Sequence, residues 1–383
     1  MAKYKYNQPV GGLGIYILCI VLGIIFIISL ISVLRKGFRN SQDVFGNMGE
    51  NSVIQEANED AFGDPEEEKT PSPKQESQQK QETDSKQEQA SNFEAEESPL
   101  PTQETPAELP IEEAGLKVFF IDVGQGDATL IEVVGQGCIL VDGGYEEYAD
   151  KVLTVLAQEG LDKIDYMVGT HAHADHVGSL SSIMKRITVG TLLVPQEENE
   201  NFFYTDMLST ARSEGATIAL AVPGDTFTLG DAKVTVYGPF DASEGVEEIN
   251  DTSVVLKIEY KEISFLLSAD AETNEEYDIM NSGYDLQATV LKVGHHGSSS
   301  STGYLWLRSI NPKYAVISCG IDNEYGHPTH KTLKRIKDAD VTLFRTDLQG
   351  TITCWTDGYR LSWSVEHDPD IDTYDHAGSY TLY

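Results

Sequence analysis

The chain has 383 residues, with 62 acidic and 27 basic side chains and a formal net charge of −35. Such an acidic balance argues against a protein whose affinity comes from broad basic contacts with nucleic-acid phosphates. The four cysteines include no Cys-x-x-Cys pair, which excludes a structural cysteine–zinc site and a disulfide framework and predicts core thiols at Cys138, Cys319 and Cys354.

Residues 11–34 form an apolar run without a charged side chain, after a short N-terminal segment at 1–10. At about 1.5 Å per residue, the run reaches roughly 36 Å, which exceeds the roughly 30 Å hydrocarbon core of a bilayer. No Ala-x-Ala cleavage site follows it, so the run predicts an uncleaved transmembrane anchor that contacts lipid. Basic residues lie on both sides of the run, and the positive-inside rule therefore leaves its orientation open.

The segment that follows, 35–115, is predicted to be a disordered acidic linker. Its stretch from 41 to 115 carries 20 acidic and 4 basic residues and few aromatic or branched apolar ones. Such a composition buries too little apolar surface to offset the entropy cost of folding. We expect an extended, self-repelling tether, with a binding role for the acidic stretch as the alternative.

From 116 to 365 the sequence alternates strand-like and helical patterns, followed by a tail at 366–383 without usable periodicity. Two similar halves, each with strands and outer helices, fit an α/β fold with a four-layer αββα sandwich. Strands are predicted at 117–122, 128–133, 137–142, 165–170, 233–237, 254–259, 263–267, 289–293 and 314–318. Helices are predicted at 148–159, 180–187, 202–213, 304–310 and 332–337.

Three histidines and one aspartate lie within six residues, at His171, His173, Asp175 and His176. An apolar strand-like run precedes them and a helical pattern follows, which places them on a strand-to-helix loop. Side chains at i and i+2 of an extended segment point the same way, so His171 and His173 can bind one ion. Asp175 and His176 follow at the turn and can face a second ion. The alternative is a polar loop with surface histidines, but the whole chain has only nine histidines.

This run resembles the His-x-His-x-Asp-His signature of the metallo-β-lactamase fold, a large hydrolase superfamily. Six blocks in order narrow the resemblance to the metal-hydrolase domain of ComEC-type competence proteins and their stand-alone relatives. The resemblance covers roughly 116–363 and does not extend to the polytopic membrane channel of those proteins. The six blocks lie at 120–127, 171–176, 250–253, 267–270, 291–298 and 325–328.

The resemblance implies two divalent metal ions, zinc or manganese. His171 and His173 match ligands of the first ion, Asp175 and His176 match ligands of the second, and Asp270 matches the carboxylate that bridges them. Either His295 or His296 completes the second site, and His295 is favoured because it comes first after the strand. No histidine between His176 and His295 supplies a third ligand to the first ion, so Asn250 or Asp251 takes that place or serves as a turn or helix cap.

Other residues of these blocks are expected to support the site or to bind substrate. Asp142 resembles a second-shell acid that holds a ligand histidine, and Asp122 is placed in the same role. Asp175, His296 and His327 are predicted to be catalytic, with His327 as a proton donor or phosphate contact. The predicted substrate-binding residues are Gln125, Asp127, Ser298, Lys331, Lys334 and Arg335, with turns, a flexible loop and a solvated helix face as the alternatives.

The resemblance implies a membrane-anchored phosphodiesterase or DNase that activates water with two metal ions. Its domain is expected outside the cell, with DNA or another phosphodiester as substrate and no protein partner. A second hypothesis keeps the metal site but changes the substrate to a teichoic-acid or choline phosphodiester, a lactone or a β-lactam. This alternative gains weight from 116–383, which carry 42 acidic and 18 basic residues. A third hypothesis is a binding module without catalysis.

Overall fold

The structure is a computed structural model that describes residues 109–374 except 197 and 243–248. The predicted transmembrane run, most of the linker and the end of the tail lie outside these residues. Within the described part of the chain, no helix is both long and apolar enough to cross a membrane. Leu109 is buried, and its carbonyl oxygen accepts a hydrogen bond from the Trp355 indole. The folded domain therefore includes residues that were predicted to belong to the linker.

The first sheet has eight strands in the order β15-β14-β1-β2-β3-β4-β5-β6. Its members β3 to β6 pair in parallel, and the others pair antiparallel. The bounds are β1 Leu116–Phe120, β2 Thr129–Val133, β3 Gly137–Val141, β4 Lys163–Val168, β5 Thr188–Val194, β6 Thr217–Leu220, β14 Ile352–Thr356 and β15 Leu361–Val365.

The second sheet has seven strands in the order β13-β12-β11-β10-β9-β8-β7. Here β10 to β13 pair in parallel, so both sheets combine a parallel half with an antiparallel half. The bounds are β7 Thr226–Leu229, β8 Ala232–Val236, β9 Leu256–Tyr260, β10 Ile263–Leu267, β11 Val290–Lys292, β12 Tyr314–Ile317 and β13 Thr342–Arg345.

Three apolar cores show how the layers stack. One core lies between the sheets, where Phe120 and Ile131 meet Phe265 and Val290. The other two cores lie on the outer faces of the sheets and are each covered by helices. The helices over the first sheet are α1 Ala149–Gln158, α2 Ala174–Val177, α3 Leu180–Met184 and α4 Phe202–Glu214. The helices later in the chain are α5 Thr273–Asn281, α6 Tyr304–Ile310, α7 His330–Asp338 and α8 Thr346–Gln349.

The prediction of a mixed α/β fold with two sheets is confirmed, and the nine predicted strands and five predicted helices all occur, most with shifted ends. The sequence patterns missed strands β5, β6, β7, β13, β14 and β15 and helices α2, α5 and α8. Strand β14 pairs with β1, which lies far from it in the sequence, from Leu116 opposite Thr356 to Phe120 opposite Ile352. Strand propensity depends on packing against neighbouring strands, so tertiary pairing decides such elements. The three predicted core thiols are buried and free.

Candidate metal centre

The predicted site lies where five loops converge, after strands β3, β4, β10, β11 and β12. Parallel strands end at a common edge, which brings loops distant in sequence together. Non-glycine residues of these loops have left-handed backbone angles, among them Asp142 (φ 57°), Ala269 (φ 46°), His295 (φ 47°) and His296 (φ 52°). Such conformations cost energy and cluster at functional sites, so the backbone here is shaped for its side chains.

His171 and His173 lie together, as the spacing predicts. The Nε2 atom of His171 is 3.1 Å from Nδ1 of His173. The other His171 nitrogen, Nδ1, lies 3.1 Å from the Thr170 hydroxyl and 3.4 Å from the Ser253 hydroxyl. The two hydroxyls orient the buried ring so that its Nε2 atom faces His173.

Asp270 is the centre of the site. This carboxylate is 2% exposed, and its Oδ2 atom lies 3.2 Å from His176 Nε2, 3.5 Å from His296 Nε2 and 3.8 Å from His171 Nε2. Burial alone would raise the pKa of Asp270, but His176 and His296 hold it well below its ordinary value. One ionised oxygen therefore faces both the His171–His173 pair and the His176–His296 pair.

Asp142 holds the ring of His176, in the place that the resemblance implies. Its Oδ2 atom is 2.9 Å from His176 Nδ1, while the backbone N–H and hydroxyl of Thr170 donate to the same carboxylate. With Nδ1 of His176 paired to Asp142, its Nε2 atom is the one that faces Asp270.

We expect Asp142→Asn to weaken metal binding about 10–100-fold, because an amide supports the His176 tautomer less well than a carboxylate. Titration calorimetry with manganese or zinc would measure the change in affinity. Thermal unfolding without metal would serve as a folding control. An unchanged metal affinity in a folded variant would contradict the orienting role of Asp142.

His296 has a corresponding arrangement on the other side of Asp270. Its Nδ1 atom lies 3.0 Å from the Ser318 carbonyl oxygen and 3.5 Å from Asp127 Oδ1. Its Nε2 atom lies 3.3 Å from Asp175 Oδ2. Asp127 is itself held by the buried ammonium group of Lys292 at 2.9 Å. Asp127 was predicted to bind substrate, and the structure places it behind His296, farther from the ring than the Ser318 carbonyl oxygen that pairs with Nδ1.

His295 faces the cleft from the opposite side to Asp175. Its Nδ1 atom is 2.8 Å from Glu272 Oε1, and its Nε2 atom is 3.8 Å from Asp270 Oδ2. The Asn250 amide donates to the same Glu272 oxygen and lies 3.4 Å from His295 Nδ1. The consecutive histidines His295 and His296 therefore have different supports and different neighbours.

The electrostatics of the cluster match a cation site. Among buried atoms without a hydrogen-bond partner are His176 Nε2, His296 Nε2, Asp127 Oδ1 and Asp270 Oδ1. Lone pairs left unpaired in a buried site are costly unless a cation meets them. Three groups of close potential ligand atoms share His176: one adds His171 and Asp270, another adds Asp175 and His296, and the third adds Asp127 and Asp142. The donor set of imidazole and carboxylate fits zinc or manganese.

The cluster opens into a cleft of about 300 Å³. His327 lies in its wall, with a ring centroid 5.3 Å from that of His295. Burial and the charges of His295 and His296 lower the pKa of His327 to about 4. A neutral ring can form a hydrogen bond to substrate, and the roles of His327 as proton donor or phosphate contact stay predictions. The cleft is lined by Gln125, Tyr145, His173, Ala174, Asp175, Asp270, His295, His296, Tyr325 and His327.

Asp122, predicted to support a ligand, and Asp251, one of two candidates for a ligand of the first ion, both have contacts within the fold. Asp122 is paired with Lys151 at 2.9 Å and accepts the Gly124 N–H, so it braces a turn rather than a ligand. Asp251 accepts the Glu272 N–H and the Asn274 side-chain amide. These contacts assign Asp251 to the alternative role that the sequence left open, a cap near the start of α5, and leave Asn250 as the member of the pair beside His295.

Arg335, on the predicted phosphate-binding ridge of α7, contacts the fold itself. Its guanidinium donates to the backbone carbonyls of Ser299, Ser301 and Thr302, so it anchors the loop after His296. Lys334 pairs with Asp338 at 2.6 Å, and Lys331 is exposed. The Ser298 hydroxyl contacts Ser300 inside the same loop. A substrate contact of these residues stays a prediction.

The sequence patterns missed several residues that the site uses. Lys292 was predicted only as part of the strand at 289–293, and Glu272 was not singled out. Ser253 lay in a recognised block, yet its hydroxyl was not assigned, although it lies between Asp270 N (3.2 Å) and His171 Nδ1 (3.4 Å). A charged residue in an apolar strand, as in 289–293, is the signal that identifies Lys292, because such a residue needs a buried partner.

The sequence pattern of the Metallo-beta-lactamase superfamily matches residues 121–321. Over 253 residues the chain is 34% identical to ComE operon protein 3 of Bacillus subtilis, covering 62% of this chain and 32% of that protein. It is 27% identical over 252 residues to Competence protein ComA of Neisseria gonorrhoeae, covering 64% and 33%. Among solved structures, the metallo-beta-lactamase fold protein YhfI from Bacillus subtilis has 13% identity and a TM-score of 0.38, covering 60% of this chain and 95% of that chain.

The match to the superfamily includes β2 to β12 and the loops that carry His171, Asp270 and His296. The chain spans about a third of the length of the curated relatives it matches. The chain belongs to the metallo-beta-lactamase superfamily of metal-dependent hydrolases and is homologous to the competence proteins of the ComEC type.

Proposed function

We propose that the chain is a metal-dependent phosphodiesterase that cleaves DNA. The observation that carries this proposal is the single buried Asp270 oxygen facing His171, His176 and His296, a donor set suited to two cations. Two metal ions are a common solution to phosphodiester hydrolysis, because they stabilise both the attacking and the leaving oxygen. The name of one relative, Competence protein ComA, refers to competence, which favours DNA as the substrate.

In this proposal His171 and His173 would hold the first ion, with His295 and Asn250 as further candidate ligands. Asp175, His176 and His296 would hold the second ion, and Asp270 would be available to both. This arrangement moves His296 from the predicted catalytic set to the ligands, because its Nε2 atom, unlike that of His295, lies 3.3 Å from Asp175. The His295–Glu272 pair resembles the carboxylate–histidine pairs that support metal ligands. His295 would be the third histidine ligand of the first ion, which no residue between His176 and His295 can provide.

The remaining residues orient and enclose the reaction. Bound metal ions would supply Lewis acidity toward water and the scissile phosphate. Asp142 orients the ring of His176, and the Ser318 carbonyl orients that of His296, which directs the Nε2 atoms of both rings toward Asp270. His327, neutral and directed into the cleft wall, donates a hydrogen bond to a phosphate oxygen. No side-chain nucleophile is needed for this chemistry.

The same proposal includes the membrane. The apolar run at 11–34 would anchor the chain in a lipid bilayer, and the acidic linker would hold the hydrolase domain away from the surface. With the domain outside the cell, extracellular DNA would reach the cleft. Protease protection of whole cells that carry a C-terminal tag would report on which side the domain lies.

One observation favours a second substrate class, the small phosphodiesters. Among the described residues that line the cleft, none is lysine or arginine, and residues 116–383 have a net charge of −24. Long DNA is normally bound through many basic contacts, whereas a small phosphodiester needs only the metal ions and a few hydrogen bonds.

The test is to incubate the purified 383-residue chain with single-stranded DNA, duplex DNA and bis(p-nitrophenyl) phosphate, each with manganese or zinc. Metal-dependent cleavage of DNA supports the nuclease proposal. Hydrolysis of the small diester alone supports the second class, and no hydrolysis of any substrate overturns both. The metal content of His295→Ala and His296→Ala, measured by mass spectrometry, tests the assignment of one ion to each histidine.

Removing the metal is expected to destabilise the folded domain. Free metal at about 100 times its dissociation constant contributes about 2.7 kcal/mol per site. For a domain of this size, the loss of one such site on chelation corresponds to a fall in Tm of roughly 5–10 °C. Scanning fluorimetry with and without EDTA measures the shift, and added manganese should reverse it. An identical Tm in both conditions would argue against a metal centre built into the fold.

A further inference from the structure

We propose that Tyr325 and Tyr145 form a stacking subsite for a nucleobase beside the metal centre, so that the enzyme acts on single-stranded DNA. This inference rests on the proposed DNA substrate and extends it to the residues that hold the base. Both tyrosines line the same cleft as Asp270, His296 and His327. The subsite would accept the base of the nucleotide next to the scissile phosphate.

The Tyr325 ring is available for stacking. It is 58% exposed, although it lies over a cleft whose floor is buried. One ring face is already used, because Tyr325 stacks on His327 with centroids 5.9 Å apart and planes inclined by 25°. His327 in turn stacks over His296 at 6.4 Å and 27°. A base on Tyr325 would therefore continue a column of rings that begins at the metal centre.

The loop that carries Tyr325 is held in place before any ligand binds. The backbone N–H of Gly320 donates to Gln125 Oε1 across the cleft. Within the loop, the Asn323 side chain donates to the carbonyls of Gly320 and His327 and accepts the His327 N–H. A preorganised aromatic surface loses little entropy when a base stacks on it.

The charges around the cleft explain why stacking is needed. Single-strand binders usually combine a basic groove with aromatic platforms, and each stacked base contributes about 1–3 kcal/mol. Here the described cleft wall has aromatic side chains and no lysine or arginine. Stacking therefore has to supply the substrate affinity that basic contacts provide elsewhere. A base can reach Tyr325 only after it leaves its own stack, which favours single strands over duplexes.

The test compares two single-stranded oligonucleotides that differ only in having normal or abasic nucleotides. For Tyr325→Leu we expect a KM about tenfold higher than that of the wild type on the normal strand, with kcat nearly unchanged. We expect no change in KM on the abasic strand, and near-wild-type behaviour for Tyr325→Phe, which keeps the ring. Tyr359→Leu is the matched control, because Tyr359 is 67% exposed and lies in the turn between β14 and β15, outside the cleft.

A binding measurement separates this inference from the proposed function. The metal-loaded 383-residue chain and its variants are titrated with both strands carrying hydrolysis-resistant phosphonate linkages, and fluorescence anisotropy gives Kd. Tighter binding of the normal strand that Tyr325→Leu abolishes supports the subsite even if the wild type cleaves no DNA. Equal affinity for both strands, no binding to either, or an equal loss in Tyr359→Leu overturns it.

Discussion

Replacing Asp270 by asparagine is expected to abolish metal-dependent hydrolysis, with a loss greater than the roughly 10–100-fold typical of residues that only support a ligand. The buried Asp270 oxygen faces three ligand nitrogens, within 3.2–3.8 Å of His176 and His171. An amide has the same shape but carries no charge to balance two dications. Mass spectrometry should show that both metals are lost or strongly depleted, and activity on DNA or bis(p-nitrophenyl) phosphate should fall with them.

Asp251→Asn is the matched control for this change. It makes the same chemical substitution at another buried aspartate nearby, but the Asp251 oxygens accept hydrogen bonds from Glu272 N and Asn274. We expect normal metal content and near-normal activity. Full activity in Asp270→Asn would contradict the metal centre itself, and loss of metal in Asp251→Asn would return that residue to the ligands.

The second large effect is expected in stability, from Lys292→Met. Lys292 is 2% exposed, and its ammonium group pairs with the buried Asp127 at 2.9 Å. Burial alone would raise the pKa of Asp127, but Lys292 and His296 hold it below its ordinary value, so the carboxylate is ionised. Removing the lysine leaves this charge buried without its partner, which costs about 3–5 kcal/mol. Urea unfolding of the metal-free protein should show this fall in the free energy of unfolding.

A double variant tests whether the pair acts as a unit. Lys292→Met together with Asp127→Asn removes both charges, and we expect it to recover most of the lost stability. The recovered protein should still bind metal more weakly than the wild type, because His296 has lost the Asp127 carboxylate at 3.5 Å. Additive losses of stability in the double variant would contradict a direct Lys292–Asp127 interaction.

Parts of the site that lie close together in the sequence could be predicted from spacing. His171 and His173 occupy positions i and i+2 of one extended segment, and their ring nitrogens lie 3.1 Å apart. Recognition of blocks in order added Asp142 and Asp270, whose contacts with His176 agree with the implied roles. Both predictions needed only local geometry or a known pattern, and neither depended on how distant loops pack.

The roles of His295 and His296 could not be predicted from spacing, because the alternation of side chains along a strand assumes an extended backbone. Both residues have left-handed backbone angles, which turn consecutive side chains in directions that no strand pattern describes. The structure directs His296 to Asp175 and directs His295 to Glu272. Arg335 shows the same limit on a helix. The helical spacing gives its position on α7, but the carbonyls that accept from its guanidinium belong to the loop that precedes α6.

By itself, the sequence determined the alternation of strands and helices, the core thiols and the local group of ligands at 171–176, because neighbouring residues and hydrophobic periodicity decide these features. Only the tertiary structure decided which charges meet: Lys292 with Asp127, Glu272 with His295, and Asp270 with the histidines of both halves. These pairs join residues from separate strands and loops. Which partner a charge meets depends on which strand ends lie at the same edge of a sheet. A buried charge without an opposite charge nearby is costly, so the charges at one edge pair with each other.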